Sequence, residues 1–344
     1  MPPTVSRRAL LRSGGLVGLA AVLAACEGPE GPEGPDSSSP TGTVEPDDPT
    51  TWPPDTTLLI AARQRVHGYL AALEVVEVPS GRASRLRDAW GAQLETVEQL
   101  VTLGGVTLPA PPTDPPVTAP PDDTARTTAP ADDAARTTGA GDGADRTAGP
   151  ERPPAERLGQ VLRADVTEAL RDASTATPTH LAMLVSLAAQ HAASARELGA
   201  AVDWPPLAGP RDAAAVPLLA ALRPAVFGLE VLAARSRGEE RDDYEAVLED
   251  VASLARQLTS LAGRAAPVPP LGYDLPEPLA DGEDRRDLAV RLVADVAPAA
   301  LTTLTRVSGD VAQLTGVARV VAEAVSWDRL LGGRGEPFPG MTAP

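Results

Sequence analysis

Lysine and asparagine are absent from these 344 residues, isoleucine occurs once (Ile60) and cysteine once (Cys26). Without lysine there is no phosphate-cradling Gly-x-x-x-x-Gly-Lys loop, and the glycine pairs Gly104-Gly105 and Gly332-Gly333 lack the strand-to-helix setting such a loop needs. A single cysteine excludes an intramolecular disulfide and any cysteine-built zinc cluster. Only three histidines are present, too few for a convincing base partner, and no Gly-x-Ser-x-Gly elbow occurs. Aromatic residues make up 3% of the chain, so a core must come from Leu, Val and Ala. Such material suits close-packed helices and suits a β-sandwich poorly.

What is abundant is acid, proline and glycine. Aspartate and glutamate number 47 against 30 basic residues, all arginine, for a formal charge of -17. Residues 1–25 hold Arg7, Arg8 and Arg12 and no acid, so a chain beginning at Cys26 stands at -20. A surface this acidic argues against nucleic acid and against adsorption to anionic lipid. Membrane attachment then has to be covalent.

The N-terminus supplies the means. Ser6-Arg7-Arg8-Ala9-Leu10-Leu11-Arg12 precedes a mildly apolar run, Gly14 to Ala25. That run is too short for a bilayer core of roughly 30 Å and fits a signal-peptide apolar region. The Arg7-Arg8 pair resembles a twin-arginine export signal, which carries folded proteins. Leu23-Ala24-Ala25-Cys26 resembles a lipobox, with Cys26 the acylated first residue of the mature chain. The resemblance implies a lipoprotein on the outer face of the cytoplasmic membrane.

Residues 27–56 read as a disordered stalk of Glu-Gly-Pro triplets followed by Ser, Thr, Pro and Asp. Three triplets are too few for a collagen-like helix. A second disordered stretch is expected over 109–153, where a motif recurs every ten residues, at Asp122, Asp132 and Asp142, each time running to an arginine four residues on that is followed by threonine. It holds too little apolar material to offset the entropy of ordering.

Elsewhere the apolar residues recur at helical spacing. Leu59, Val66, Leu70 and Leu73 share a face, as do Leu86, Trp90, Leu94, Val97 and Val101. Leu158, Leu162, Val166 and Leu170 mark a third helix, and Leu181, Leu184, Ala188, His191 and Leu198 a fourth. Thr177 is the expected N-cap of that fourth helix, with Pro178 at its first position. After Trp204-Pro205-Pro206, Asp212 is placed to cap a helix running to Arg235. Tyr244 to Leu261 carries the cleanest stripe. One helix is expected through Leu288, Leu292, Val296 and Leu304, and Gly309-Asp310 reads as a stop and a new start before Val311 to Val325. Eight helices in two sets of four predict an all-α chain. They form either two antiparallel four-helix bundles, over 57–205 and 211–344, or the halves of one larger bundle.

The second set carries a resemblance. Leu219-Ala-Ala-Leu-Arg-Pro-Ala-Val-Phe-Gly-Leu-Glu-Val-Leu-Ala-Ala-Arg235, then Gly272-Tyr-Asp-Leu-Pro276, then Trp327 and Pro337-Phe-Pro-Gly340, is similar to a ferritin-like family of unknown function found in actinobacteria. The resemblance implies a ferritin-like bundle over 211–344. Family members commonly have Glu-His where this chain has Arg223-Pro224, so the metal ligands of relatives do not carry over. Pro224 is also expected to kink its helix.

The chemistry can be tested residue by residue. A carboxylate-bridged di-iron centre needs Glu-x-x-His pairs, and the residues three before His67, His180 and His191 are Gln64, Thr177 and Ala188. His180 and His191 stand about 16 Å apart along one helix. His191, on an apolar face, is read as a core histidine. The pairs Glu74/Glu77 and Glu95/Glu98 are read as solvated acidic faces. If they instead met across the first hairpin, they and His191 would form an unorthodox metal site. No catalytic, cofactor-binding or metal residue is assigned. The expected function is a non-enzymatic binding or scaffold module at the cell envelope, anchored through Cys26, with an unknown protein or small-molecule partner. Two alternatives stay open: metal handling by the first-set carboxylates, and a small-molecule carrier with an apolar cavity between the sets.

Overall fold

Among the described residues every regular element is a helix, each presenting an apolar stripe to the core. The computed structural model describes residues 49–108, 110, 154–275 and 279–341. Arg7, Arg8, Cys26, most of the stalk and the ten-residue units lie outside them. Among the described residues there is no strand, only a single bridge between Glu77 and Pro154.

The first set comprises α1 (Thr56–Val75), α2 (Ser80–Leu103), α3 (Ala155–Ala173) and α4 (Pro178–Glu197). The second begins with a 3-10 turn, Asp212–Ala215, leading into α5 (Val216–Arg235) and α6 (Glu239–Ala262). Asp212 opens that turn and makes no cap hydrogen bond. Pro224 lies inside α5 without ending it, so the helix stays continuous to Arg235. Asp212–Arg235 has the length and hydropathy of a membrane span. Its apolarity has a core to serve, since Leu218, Leu219, Leu222, Leu229 and Leu232 are all fully buried. Burying each such leucine contributes about 1.5–3 kcal/mol.

The single helix expected from Leu288 to Leu304 is three pieces: α7 (Gly282–Ala294), α8 (Val296–Leu301) and α9 (Leu304–Val307). Pro298 has no amide to donate to the carbonyl four residues back, and its ring crowds that carbonyl, so the helix breaks beside Ala294 and Asp295. Thr302 and Thr303 then turn their hydroxyls onto Ala299 O and Ala300 O, both at 2.7 Å, and interrupt it again. Gly309, at φ +83°, makes the expected stop. Asp310 caps α10 (Val311–Leu330) by accepting from the amides of Ala312 and Gln313 at 3.1 Å.

The buried side chains of both sets form one continuous cluster, and the described residues belong to one compact unit. The α4 helix lies at its centre. Of its 20 residues 14 are buried, five of them alanine, which lets α3 and α10 approach closely. A Cβ on Gly159 of α3 would stand 3.0 Å from the Ala200 Cβ just beyond α4. The tail crosses back from the second set to the first. Gln93 of α2 donates to Pro337 O at 2.6 Å, and Ser186 of α4 donates to Pro339 O at 2.8 Å. Gly340, at φ +81°, lies so close to Ala297 that any Cβ would clash with its backbone.

Candidate functional site along helix α4

A helix buried on nearly every side must find internal partners for its polar side chains, because an unpaired buried polar group costs about 1–3 kcal/mol. Helix α4 carries four in its buried stretch: Ser186, Gln190, His191 and Ser194. His191 Nε2 lies 3.0 Å from Gln93 Oε1. Since the Gln93 amide nitrogen donates to Pro337 O, its oxygen must accept, which places the imidazole proton on Nε2. The His191 ring stands edge-on to Tyr69, with centroids 4.9 Å apart. Tyr69 donates to Asp165 Oδ2 at 2.8 Å, and Trp90 donates to Gln190 Oε1 at 3.3 Å. Gln190 Nε2 and Ser194 Oγ remain buried without a hydrogen bond.

This network is sealed. Burial, reinforced by the charge of Arg65, pushes the His191 imidazole down to about 3, so it stays neutral at ordinary pH. Burial also raises the Asp165 carboxyl, despite the Tyr69 hydrogen bond and Arg65. A neutral imidazole at 1% exposure reaches no external substrate. The network holds α1, α2, α3, α4 and the tail together.

The carboxylates singled out in the sequence do not converge. Glu74 accepts from Arg87 at 2.9 and 3.1 Å. Glu77 makes its backbone bridge to Pro154, and Glu95 accepts from Gln99. Glu98 takes Arg63 Nε at 2.7 Å and faces His67 Nε2 at 3.3 Å. Burial works to raise its carboxyl, but the Arg63 and His67 contacts outweigh burial and hold it low. His191 is engaged with Gln93. Among the described residues no group of three or more metal-ligating side chains is gathered. A wide, shallow depression of about 660 Å³ does run along α2 past Leu94, Glu98, Leu103 and Leu108, with Leu103 itself 84% exposed.

The open polar site lies at the C-terminal end of α4, where α4, α6 and α10 meet. A cleft of about 140 Å³ is lined there by Arg196, Asp250, Ser253, Gln257, Arg319 and Glu323, with Trp327 in its wall. Arg196 pairs with Glu323 at 2.8 Å, and Trp327 Nε1 donates to Asp250 at 3.3 Å. Arg319 and Glu323 stand four apart on α10, the spacing of a helical ion pair. Because Glu323 is engaged by Arg196, Arg319 Nε is left buried without a partner. At roughly 30 Å³ per water, the volume is that of four or five waters. This cleft between the sets is therefore polar and small. Sequence patterning missed it because its residues come from three helices far apart in the chain.

No family model matches the chain, and neither comparison with curated proteins nor comparison with solved structures returned a match.

Proposed function

We propose that this chain is a non-enzymatic binding module of the cell envelope. It is exported folded through its Arg7-Arg8 signal and held on the outer face of the cytoplasmic membrane by a lipid on Cys26. Its second helical set is, in this reading, a ferritin-like bundle without di-iron ligands. The α4–α6–α10 cleft is where a small polar ligand or the tip of a partner would seat. The observation that carries the address is the order Arg7-Arg8, short apolar run, Leu23-Ala-Ala-Cys26. The observation that supports binding is that Arg319, which lines the cleft and donates through Nη1 to Pro205 O at 3.4 Å, keeps its buried Nε without a hydrogen-bond partner.

The test is fractionation of cells expressing the full chain. Wild-type protein should sediment with membranes and carry acyl groups on Cys26 by mass spectrometry. Cys26→Ser should release it, and Arg7→Lys with Arg8→Lys should retain it in the cytoplasm. A Cys26→Ser protein that still sediments with membranes would overturn the anchor. Elemental analysis of protein purified without chelator separates this reading from metal handling: near-stoichiometric iron, manganese or zinc would favour the first-set carboxylates.

A further inference from the structure

Just beyond the cleft, three guanidinium groups crowd one carboxylate. Glu197, the last residue of α4, has its Oε1 3.4 Å from Arg82 Nε and 2.8 Å from Arg85 Nη2, and its Oε2 2.8 Å from Arg329 Nη1. We propose that Arg82, Arg85 and Arg329 form a binding site for a phosphate-type oxyanion.

The placement of the arginines carries the argument. Arg329 lies in the last turn of α10, where a cation is favoured by the helix dipole. That accounts for one of the three. Arg82 lies at the other kind of end, in the first turn of α2, where the dipole favours acids and disfavours cations, and Arg85 follows in the second turn. No acidic residue occupies that first turn, and no side chain caps it. A Cβ on Gly81 would meet nothing within 4 Å, so the space beside this turn is open. An arginine at a positive helix end, with two more beside it, is costly unless an anion joins them.

Glu197 supplies only part of that anion. With Asp328 also acting on Arg329, two carboxylates against three guanidinium groups leave a local surplus of one positive charge on a chain whose formal charge is -17. The neighbouring acid, Asp328, has its Oδ2 accepting the Gly335 amide at 3.1 Å. The contact between Arg329 Nη1 and Glu197 Oε2 is close but not aligned as a hydrogen bond, and both atoms are buried without one. Burial, aided by Arg85, pushes the Arg329 guanidinium below its ordinary value even with Glu197 beside it. Arg82 and Arg85 are 37% and 54% exposed, while Glu197 and Arg329 sit beneath them at 13% and 18%. An incoming ligand thus meets two open forks above a buried third.

A phosphate offers several acceptor oxygens to the guanidinium forks and at least the one charge that the surplus calls for. The site lies at the opposite end of α4 from its first residue, Pro178, about 28 Å along the helix. The overall acidity repels an extended anionic surface more strongly than one small anion, so the favoured source is a free phosphate or phosphomonoester and not a lipid headgroup.

The experiment uses the full chain with Cys26→Ser, titrated with inorganic phosphate by calorimetry at physiological ionic strength. In parallel, it is sedimented with vesicles of phosphatidylglycerol or of phosphatidylcholine. Phosphate should bind with a Kd of about 1 mM or tighter. The Arg82→Ala/Arg85→Ala double variant should weaken binding about tenfold or more. Arg87→Ala, which removes an exposed arginine of the same helix, should leave it unchanged. Glu197→Gln should tighten it several-fold. Arginine-dependent sedimentation with phosphatidylglycerol alone would support the site with a lipid source. No phosphate or vesicle binding by a folded protein, or binding that survives the double variant, would overturn it.

Discussion

Asp55, the residue before α1, closes the first turn of α4: its carboxylate accepts the Thr177 amide at 2.9 and 3.1 Å and also takes the Thr177 hydroxyl. The sequence suggests that Thr177 caps its own helix. In the structure its side chain makes no cap bond and a residue 122 positions away performs the service. The same carboxylate lies 2.9 Å from His180 Nδ1. Asp55 adopts φ +70°, a left-handed conformation that aspartate tolerates better than most residues.

Replacing Asp55 should therefore destabilise the first set more than the loss of an ordinary cap. Asp55→Ala removes charge-assisted hydrogen bonds at a carboxylate 4% exposed, and a loss of about 3 kcal/mol is expected by urea denaturation. Burial works to raise this carboxyl, but the Thr177 and His180 contacts outweigh it and hold it below its ordinary 3.8. Its contribution is then complete above pH 3.8 and lost as pH falls through the lower folded value. Asp55→Asn should flatten the acid limb of the stability curve. An unchanged acid limb would show that the carboxylate is not engaged as described.

His191 gives the chain a second pH dependence, in a different window. Its imidazole ionises at about 3 when folded and at 6.5 when free. The unfolded chain takes up the proton first, so stability is complete above 6.5 and falls on acidification toward 3. The slope is at most about 1.4 kcal/mol per pH unit. Urea midpoints at pH 7 and pH 5 should differ accordingly, and His191→Gln should reduce the difference. A His191 ring that titrates near 6.5 by NMR in the folded protein would contradict its sealed position.

Gln93 joins α4 to the tail by holding His191 on one side of its amide and Pro337 on the other. Gln93→Leu leaves both partners unsatisfied, with an expected cost of about 2–4 kcal/mol. Its signature is local. Amide exchange at Phe338 and Met341 should rise well before the helices are affected. Ser186→Ala, which removes the bond to Pro339, should loosen the same residues more mildly, by about 1 kcal/mol. Equal protection of the tail in wild type and Gln93→Leu would mean that Phe338 and Met341 hold it by apolar contact alone.

The all-helical class was determined by the sequence itself. Stripes such as Tyr244, Val247, Val251, Leu254 and Leu258 match only a 3.6-residue period, and all five are buried along one helix. Gly309 and Asp310 were equally legible, because the stop and the cap depend on residues adjacent in the chain. The first of the two breaks between α7, α8 and α9 could have been read from Pro298, whose effect on the preceding turn is also local. What only the tertiary structure decided is where polar groups meet. Asp55 with Thr177, His191 with Gln93 and Pro337, and Glu197 with Arg82, Arg85 and Arg329 each join residues from separate helices. Apolar burial is non-directional and leaves a periodic trace along each helix. A hydrogen bond or ion pair depends on the angle and offset at which two helices pack, and that no single helix records.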